Sequence, residues 1–217
     1  MTTTILLTAT VNVQAKPILY QKNKEDRLNI YLNVIRQWLT KTNFKIVLVE
    51  NSGYKFPELQ EEKEFFKDRF EIISFVEKLE KEARYLENEE GKGGSEMYAI
   101  HFAYYISKFI KSSIFIIKVT SRFFIPELEK YLLTKDLYNY DGLCQNNVTR
   151  CEMVGTHIKN FHIIFNKYLI DDSGNYDQHV ENIYQIRLSW FNNILRCKEF
   201  DIEPTQRGGV PDIFYNI

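Results

Sequence analysis

Continuous apolar runs alternate with amphipathic stretches over the first 120 residues of the chain. The apolar runs predict strands at 4–13, 44–50, 70–76 and 113–119. Helical spacing and glycine positions predict helices between them, at 27–40, at 58–68 and from Gly91, Gly93 and Gly94 through Ile110. The charged segment 77–92 predicts a solvated helix or a loop. This β-α-β-α-β-α-β order indicates an α/β fold, a mostly parallel sheet flanked by helices.

The alternation loosens in the second half of the chain. Short apolar runs predict strands at 138–145 and 152–158, with a last extended run at 198–203. Helical patterns follow Pro126 at 127–133 and recur at 163–169 and 180–195. Neither an internal repeat nor a low-complexity linker divides the sequence. We therefore expect residues 1–217 to form a single domain.

Composition and charge exclude several classes of protein. The 217 residues are 44% hydrophobic and 26% charged, enough for a core and an ordinary polar surface. The formal net charge of −1 provides no overall field that would attract nucleic acid or anionic lipid. The apolar stretch 104–119 contains three lysines and is too interrupted to span a membrane. With no basic residue before Ile5 and three cysteines outside any CxxC pair, we expect a cytoplasmic protein with reduced thiols.

Polar side chains stand where the predicted strands end. In parallel sheets, ligands bind at the carboxyl edge, so residues that follow the strands are candidates for chemistry. Lys92 and Glu96 flank the two glycines of a helix start, where backbone N–H groups and the helix dipole favour an anion. The sequence lacks the Walker A and GxGxxG patterns. The strand-end candidates are Thr8, Thr10, Glu50, Asn51, Ser52, Lys118, Thr120 and Arg122.

The order of these motifs resembles a known enzyme family. V-x-N-S-G ends at Gly53, K-G-x-x-E spans 92–96 and I-I-K-V-T-x-R spans 116–122. Together with the tail 202–209, they resemble small GT-A glycosyltransferases, in particular the chlorella-virus-encoded type that attaches sugars to viral capsid glycans, with looser bacterial relatives. The resemblance implies a GT-A-like, Rossmann-like sheet, with residues 1–122 as the nucleotide-binding half and 123–217 as the acceptor-side half.

The resemblance also implies substrates and a compartment. The donor would be a nucleotide sugar, most simply a UDP-sugar and conceivably of a deoxyhexose such as rhamnose. The acceptor would be a glycan hydroxyl. If the protein is viral, it would act in the host cytoplasm.

Roles for individual residues follow from the resemblance. Thr8, Ala9 and Thr10 would line the nucleoside. Uracil and ribose would lie against the turn Glu50, Asn51 and Ser52, and Lys92 and Glu96 would lie near ribose and pyrophosphate. Arg207 either closes over the diphosphate or belongs to an ordinary C-terminal tail.

One departure from the family concerns the metal. GT-A enzymes carry an Asp-x-Asp motif that holds Mn²⁺ or Mg²⁺ against the diphosphate. Lys118, Thr120 and Arg122 stand in its place, and their cations could neutralise the leaving diphosphate directly. His157, at a predicted strand end, is the candidate for a metal or diphosphate contact. Whether a divalent ion takes part stays open.

Glycosyl transfer also needs a carboxylate near the anomeric carbon, as a base toward the acceptor or as a stabiliser of the reacting sugar. Glu181, at the start of the helix at 180–195, is the first candidate and Asp177 the second. The alternative for Glu181 is a purely structural role at the positive end of the helix.

Two other functions remain open at this point. A nucleotidyltransferase shares the sheet but usually has a Gly-rich loop after the first strand, where this chain has Val11, Asn12, Val13 and Gln14. A catalytically inactive glycan- or nucleotide-binding module fits the missing Asp-x-Asp. A serine hydrolase is disfavoured because GxSxG is absent, and no cysteine lies in a setting that would activate it.

Overall fold

Four parallel strands form one half of the central sheet. The structure is a computed structural model that describes residues 2–13, 23–88, 92–206 and 211–217. The strands are β1 (Thr3–Ala9), β2 (Lys45–Glu50), β3 (Phe70–Ser74) and β4 (Phe115–Thr120). They lie in the order β3-β2-β1-β4, all parallel. Ala9 pairs with Glu50 and Thr8 with Thr120, so the carboxyl ends of β1, β2 and β4 lie level with one another. The predicted parallel sheet is confirmed.

The later strands extend the same sheet. They are β5 (Gly142–Cys144), β6 (Met153–His157) and β7 (Ile194–Arg196). The full order is β3-β2-β1-β4-β6-β5-β7, with β6 antiparallel to both β4 and β5. The sheet thus continues without a break from the first half of the chain into the second. A separate two-stranded hairpin consists of β8 (Asp201–Gln206) and β9 (Ile213–Asn216).

Helices cover both faces of this sheet. The long helices are α1 (Lys24–Lys41), α3 (Gly93–Ile106) and α7 (Val180–Ser189), and the short ones are α2 (Gln60–Phe65), α4 (Lys108–Lys111), α5 (Leu128–Leu132) and α6 (Phe161–Ile164). Asn23 caps α1, its side chain accepting from the amides of Glu25 and Asp26. Ser107 leaves the helical region and its hydroxyl caps α4, which divides the predicted helix through Ile110 into two.

Three predicted elements differ from the structure. The helix predicted at 163–169 is wrong, because α6 already ends at Ile164. The helix predicted at 180–195 ends at Ser189, and 194–196 pairs with β5 as a strand, because burial at the sheet edge outweighs local helical periodicity. The charged segment after β3 forms 3₁₀ turns at Glu77–Leu79 and Lys81–Asn88.

Alternation along β1 divides the core into two layers. Ile5 and Leu7 pack on the α1 side with Tyr31 and Trp38, while Leu6 packs on the α3 side. The same alternation at the end of the strand directs Thr8 toward α3, so the two sides of the carboxyl edge present different side chains. The three cysteines are free and buried, and burial raises the pKa of Cys197 to about 12. Among the described helices, we find none that combines the length and apolarity needed to cross a bilayer.

Candidate functional site

Glu50, the last residue of β2, fixes the loops that border the site. Its carboxylate is wholly buried and accepts hydrogen bonds from the backbone amides of Val11, Ser52 and Tyr54 at 3.0, 3.0 and 2.7 Å. The Ser52 hydroxyl donates to the same carboxylate and accepts from the amide of Asn12 at 2.9 Å. Glu50 therefore ties the turn after β2 to the chain leaving β1. The Glu50 carboxylate oxygens accept hydrogen bonds from the backbone amides of these loops.

A chain of polar side chains crosses the ends of β1, β2 and β3. The Thr10 hydroxyl donates to Asn51 Oδ1 at 2.6 Å, and Asn51 Nδ2 donates to Glu77 Oε2 at 2.8 Å. The other Glu77 oxygen accepts from the Ser95 hydroxyl at 2.9 Å. The predicted residues Thr10 and Asn51 are brought together in this way. The chain ends at the start of α3, so it connects three strand ends to a helix N-terminus.

Lys118 and Glu96 form a second polar cluster, on the α3 side of the edge. Lys118 is fully buried, and its Nζ lies 2.9 Å from Glu96 Oε1. Nζ also donates to the Cys151 carbonyl at 2.7 Å and to the Thr120 hydroxyl at 3.4 Å, so its three hydrogens have partners. The Thr8 hydroxyl donates to the same Glu96 oxygen at 2.7 Å. Because the three hydrogens of Lys118 Nζ already have partners, Lys118 has no N–H donor left for a direct contact with diphosphate.

The starts of α3 and α7 meet beside this cluster. A Cβ on Gly93 would lie 2.7 Å from Val180 Cβ, so only glycine permits this approach. Burial chiefly raises the pKa of Tyr184, and the charges of Glu96 and Glu181 both raise it further. The same two carboxylates raise the pKa of Cys151. The charges of Glu96 and Glu181, from different helices, therefore both act on the buried residues Tyr184 and Cys151.

Two arginines lie on the α1 side of the same edge. Arg27, 3% exposed, donates to the Thr10 carbonyl from Nε at 2.9 Å and to the Tyr31 hydroxyl from Nη2 at 2.7 Å. Arg122, 8% exposed, lies 5.9 Å from the Tyr31 ring centroid. Burial lowers the pKa of Arg27, and the neighbouring charge of Arg122 lowers it further. The two guanidinium groups therefore share one buried environment next to the ends of β1 and β4.

His157 does not approach the site. It pairs with Phe115, the first residue of β4, because β6 runs antiparallel to β4. Its ring Nδ1 accepts from the amide of Lys159 and caps a 3₁₀ turn. The predicted metal or diphosphate contact of His157 is wrong in position, since the residue lies at the opposite edge of the sheet. The described residues contain no group of three His, Cys, Asp or Glu side chains suited to a metal ion.

The remaining predicted residues have different surroundings. Asp177 accepts from the His179 amide and the Asn182 side chain at 2.8 and 2.9 Å, which anchors the start of α7. Lys92 precedes α3 and Glu181 begins α7, both partly buried. Ala9 is the last residue of β1, with its carbonyl facing the Asn51 amide at 3.4 Å. Arg207 lies outside the described residues.

Three residues of the site were absent from the sequence predictions. Glu77 and Ser95 complete the polar chain through Asn51, and Arg27 donates to the Thr10 carbonyl at the end of β1. Glu77 begins a charged segment that resembles a solvated surface. Because it directly follows the predicted strand at 70–76, the rule that selected the other strand-end candidates would also have selected Glu77. Arg27 lies in the first turn of α1, where a basic residue opposes the helix dipole.

Comparisons with known proteins indicate the fold. Neither a protein-family model nor a curated protein sequence matches the chain. Residues 1–349 of Staphylococcus aureus TarS superpose with a TM-score of 0.50 at 13% identity, covering 91% of this chain and 58% of that one. CMP:2-keto-3-deoxy-manno-octonic acid synthetase complexed with CTP superposes with a TM-score of 0.50 at 11% identity, covering 97% of this chain and 93% of that one.

A third structure shares the same outline. A Desulfovibrio desulfuricans protein designated a nucleotide-diphospho-sugar transferase is 16% identical over 91% of this chain and 80% of its own, with a TM-score of 0.47. These comparisons do not test the likeness to the chlorella-virus-encoded type, which stays a prediction. At these identities the comparisons establish the architecture alone: the chain has a GT-A-like fold, a mostly parallel sheet flanked by helices in one domain.

Proposed function

We propose that this protein is a glycosyltransferase that moves a sugar from a nucleotide-sugar donor to a hydroxyl group of a glycan. The observation that supports it most directly is the polar chain Thr10–Asn51–Glu77–Ser95 across the carboxyl edge of a GT-A-like sheet. In open α/β sheets this edge is the place where nucleotides bind. The chain of hydrogen bonds gives a base and a ribose a preorganised set of donors and acceptors.

A uridine nucleotide is the donor we favour. Uracil presents one N–H donor between two carbonyl acceptors, and its partners must therefore supply an acceptor next to donors. The Glu77 carboxylate can supply the acceptor and Asn51 Nδ2 a donor. Glu96 accepts both Thr8 and Lys118 on Oε1, which leaves Oε2 without a hydrogen-bond partner among the described residues. That oxygen is suited to a ribose hydroxyl. The first sugars to test are hexoses and deoxyhexoses such as rhamnose.

The acceptor is assigned to the side of α7. Glu181 lies in the first turn of this helix, and its charge acts on the same buried residue, Tyr184, as the charge of Glu96. In the proposed reaction the acceptor oxygen bonds to the anomeric carbon while the bond from that carbon to the diphosphate oxygen breaks. Glu181 takes the proton of the acceptor hydroxyl, and the nucleoside diphosphate leaves with the bonding electrons. Positioning and stabilisation of the departing charge supply most of the acceleration.

Donor turnover tests this proposal. The purified chain is incubated with UDP-, GDP-, dTDP- and CMP-sugars and a glycan acceptor, and release of the free nucleotide is measured together with the mass of the product. We expect a UDP-sugar to be consumed and the acceptor mass to rise by one sugar. Release of pyrophosphate from CTP or UTP with a sugar substrate would instead identify a nucleotidyltransferase. Nucleotide binding without turnover of any donor would identify an inactive binding module.

A further inference from the structure

The residues at the end of β4 do not fit the metal site that the GT-A resemblance implies. Two carboxylates would be needed to hold Mn²⁺ or Mg²⁺ against a diphosphate, and this position has Thr120 and Arg122. Thr120 already accepts a hydrogen bond from the buried ammonium of Lys118. In the part of the chain that the structure describes, no other group of carboxylate, imidazole or thiol ligands is available for a cation. A cation is also repelled by the guanidinium groups at this edge.

Arg122 is the more informative of those groups. Arg122 is 8% exposed, and among the described residues its buried Nε has no hydrogen-bond partner. Among the described residues, no carboxylate forms an ion pair with Arg122, and its guanidinium group lies 5.9 Å from the centroid of the Tyr31 ring. The hydroxyl of the adjacent Ser121 is likewise buried and without a partner. A buried charge without a partner lowers the stability of the folded protein, so a bound anion would stabilise this arrangement.

Arg27 places a second positive charge at the same point. Its Nε and Nη2 both donate hydrogen bonds to the Thr10 carbonyl at the end of β1. These bonds fix the guanidinium plane beside the proposed nucleoside site. Glu50 is the carboxylate whose charge acts on Arg27, but its oxygens are engaged by the amides of Val11, Ser52 and Tyr54. Arg27 and Arg122 thus bring two guanidinium groups to the α1 side of the edge.

We propose that Arg27 and Arg122 form a buried arginine pair that binds the diphosphate of the donor directly, in place of a carboxylate-held divalent cation. This inference rests on the proposed function, since it assigns the diphosphate of the same donor. The guanidinium group of Arg122 offers a planar set of N–H donors that matches phosphate oxygens. Arg27, whose Nε and Nη2 bind the Thr10 carbonyl and the Tyr31 hydroxyl, adds a second positive charge beside it. On bond cleavage they stabilise the charge that develops on the leaving nucleoside diphosphate.

Calorimetric titration in EDTA separates the diphosphate contact from the nucleoside contact. Uridine, UMP and UDP are titrated into the wild-type protein, Arg122→Met, Arg122→Lys and the control Arg36→Gln, whose arginine pairs with Glu62 on the exposed face of α1. We expect the wild type to bind UDP at least about tenfold more tightly than uridine without added metal. Arg122→Met should lose this difference and keep its affinity for uridine, and Arg122→Lys should keep part of the difference. Arg36→Gln should behave as the wild type.

The outcomes distinguish the two proposals. UDP binding that requires Mn²⁺, or an Arg122→Met variant that still prefers UDP over uridine, would overturn the arginine pair while leaving the glycosyltransferase proposal intact. Absence of binding and turnover with uridine, guanosine, cytidine and adenosine diphosphates and their sugars, with and without Mn²⁺, would overturn both. The thermal midpoint of Arg122→Met without ligand checks folding, and we expect it to equal or exceed that of the wild type because a buried uncompensated charge is removed. Arg122→Lys gives the binding result if the methionine variant fails to fold.

Discussion

Lys118 and Glu96 form an ion pair in which Nζ lies 2.9 Å from Oε1 and the lysine is wholly enclosed. Burial is the largest single effect on the pKa of Lys118 and lowers it. The charge and hydrogen bond of Glu96, together with the charges of Cys151 and Glu152, outweigh burial, so the pKa is raised and the ammonium stays charged. Thr8 donates to the same carboxylate oxygen. Glu96 is thus held from two strands at once, and Lys118 acts on the site as a positioning residue through Glu96.

Replacing Lys118 should destabilise the protein strongly. In Lys118→Met, Glu96 loses its only ion-pair partner among the described residues while its side chain is 20% exposed, and we expect the free energy of unfolding to fall by about 3 kcal/mol. The double variant Lys118→Met, Glu96→Leu removes both charges and should recover most of that loss. Urea denaturation of the wild type, both single variants and the double variant gives the coupling. Additive losses in the double variant would show that the two side chains have no coupling energy, which would contradict this expectation.

Asn51 should govern the affinity for the nucleoside. Its side chain joins the Thr10 hydroxyl to the Glu77 carboxylate, so Asn51→Ala removes a recognition group and releases two others. We expect uridine to bind about tenfold more weakly, equivalent to about 1.4 kcal/mol, measured by calorimetry. The control is Asn139→Ala, because Asn139 is an exposed asparagine whose side chain donates to Asp136 and has no contact with the polar chain through Asn51. Equal affinities for the wild type and Asn51→Ala would place the base elsewhere.

The parallel half of the sheet was predictable because its strands are buried on both faces. A continuous apolar run such as Ile46–Val49 predicts a buried strand by itself, without information from other parts of the sequence. The direction of β6 was not predictable, because an apolar run gives no sign of whether it pairs parallel or antiparallel. Because β6 is antiparallel to β4, His157 lies at the edge opposite to the carboxyl ends of the parallel strands, and not at those ends as predicted.

The candidate site was predictable where chemistry directly follows a strand. Thr10 and Asn51 were found in this way, and the structure joins them by a hydrogen bond. The partner of Lys118 lies 22 residues earlier on another element, by the numbering of Glu96, and local patterns contain no information about such a pair. The proximity of Arg27 to Arg122 likewise depends on how α1 packs on the sheet.

His101 should make stability depend on pH. Burial is the main cause that lowers its pKa, and the charges of Lys167 and His162 lower it further, against an opposing effect of Glu82. The unfolded chain therefore binds a proton more readily, so stability should fall as the pH drops below about 6.5. His101→Gln should flatten the curve of unfolding free energy between about pH 7 and pH 5. Urea denaturation at several pH values measures this, with the exposed His179→Gln as control; parallel curves for His101→Gln and the wild type would contradict it.

Glu181 and Asp177 provide the sharpest test of the proposed chemistry, because they lie four positions apart at the start of α7 and have different surroundings. Both Asp177 oxygens accept hydrogen bonds that anchor the helix, from the His179 amide and the Asn182 side chain. Asp177→Asn should therefore lower stability by about 1 kcal/mol and leave kcat nearly unchanged.

Glu181→Gln keeps the shape of the side chain and removes the base. We expect kcat to fall by roughly 10²-fold or more, with the affinity for the nucleoside diphosphate retained and the thermal midpoint close to that of the wild type. Initial rates at saturating donor, together with calorimetry, separate these effects. A helix-capping role for Glu181 predicts the reverse: a lower thermal midpoint, kcat retained, and an effect that Glu181→Asp repairs because aspartate also complements the helix dipole. Full activity in Glu181→Gln would exclude Glu181 as the catalytic base.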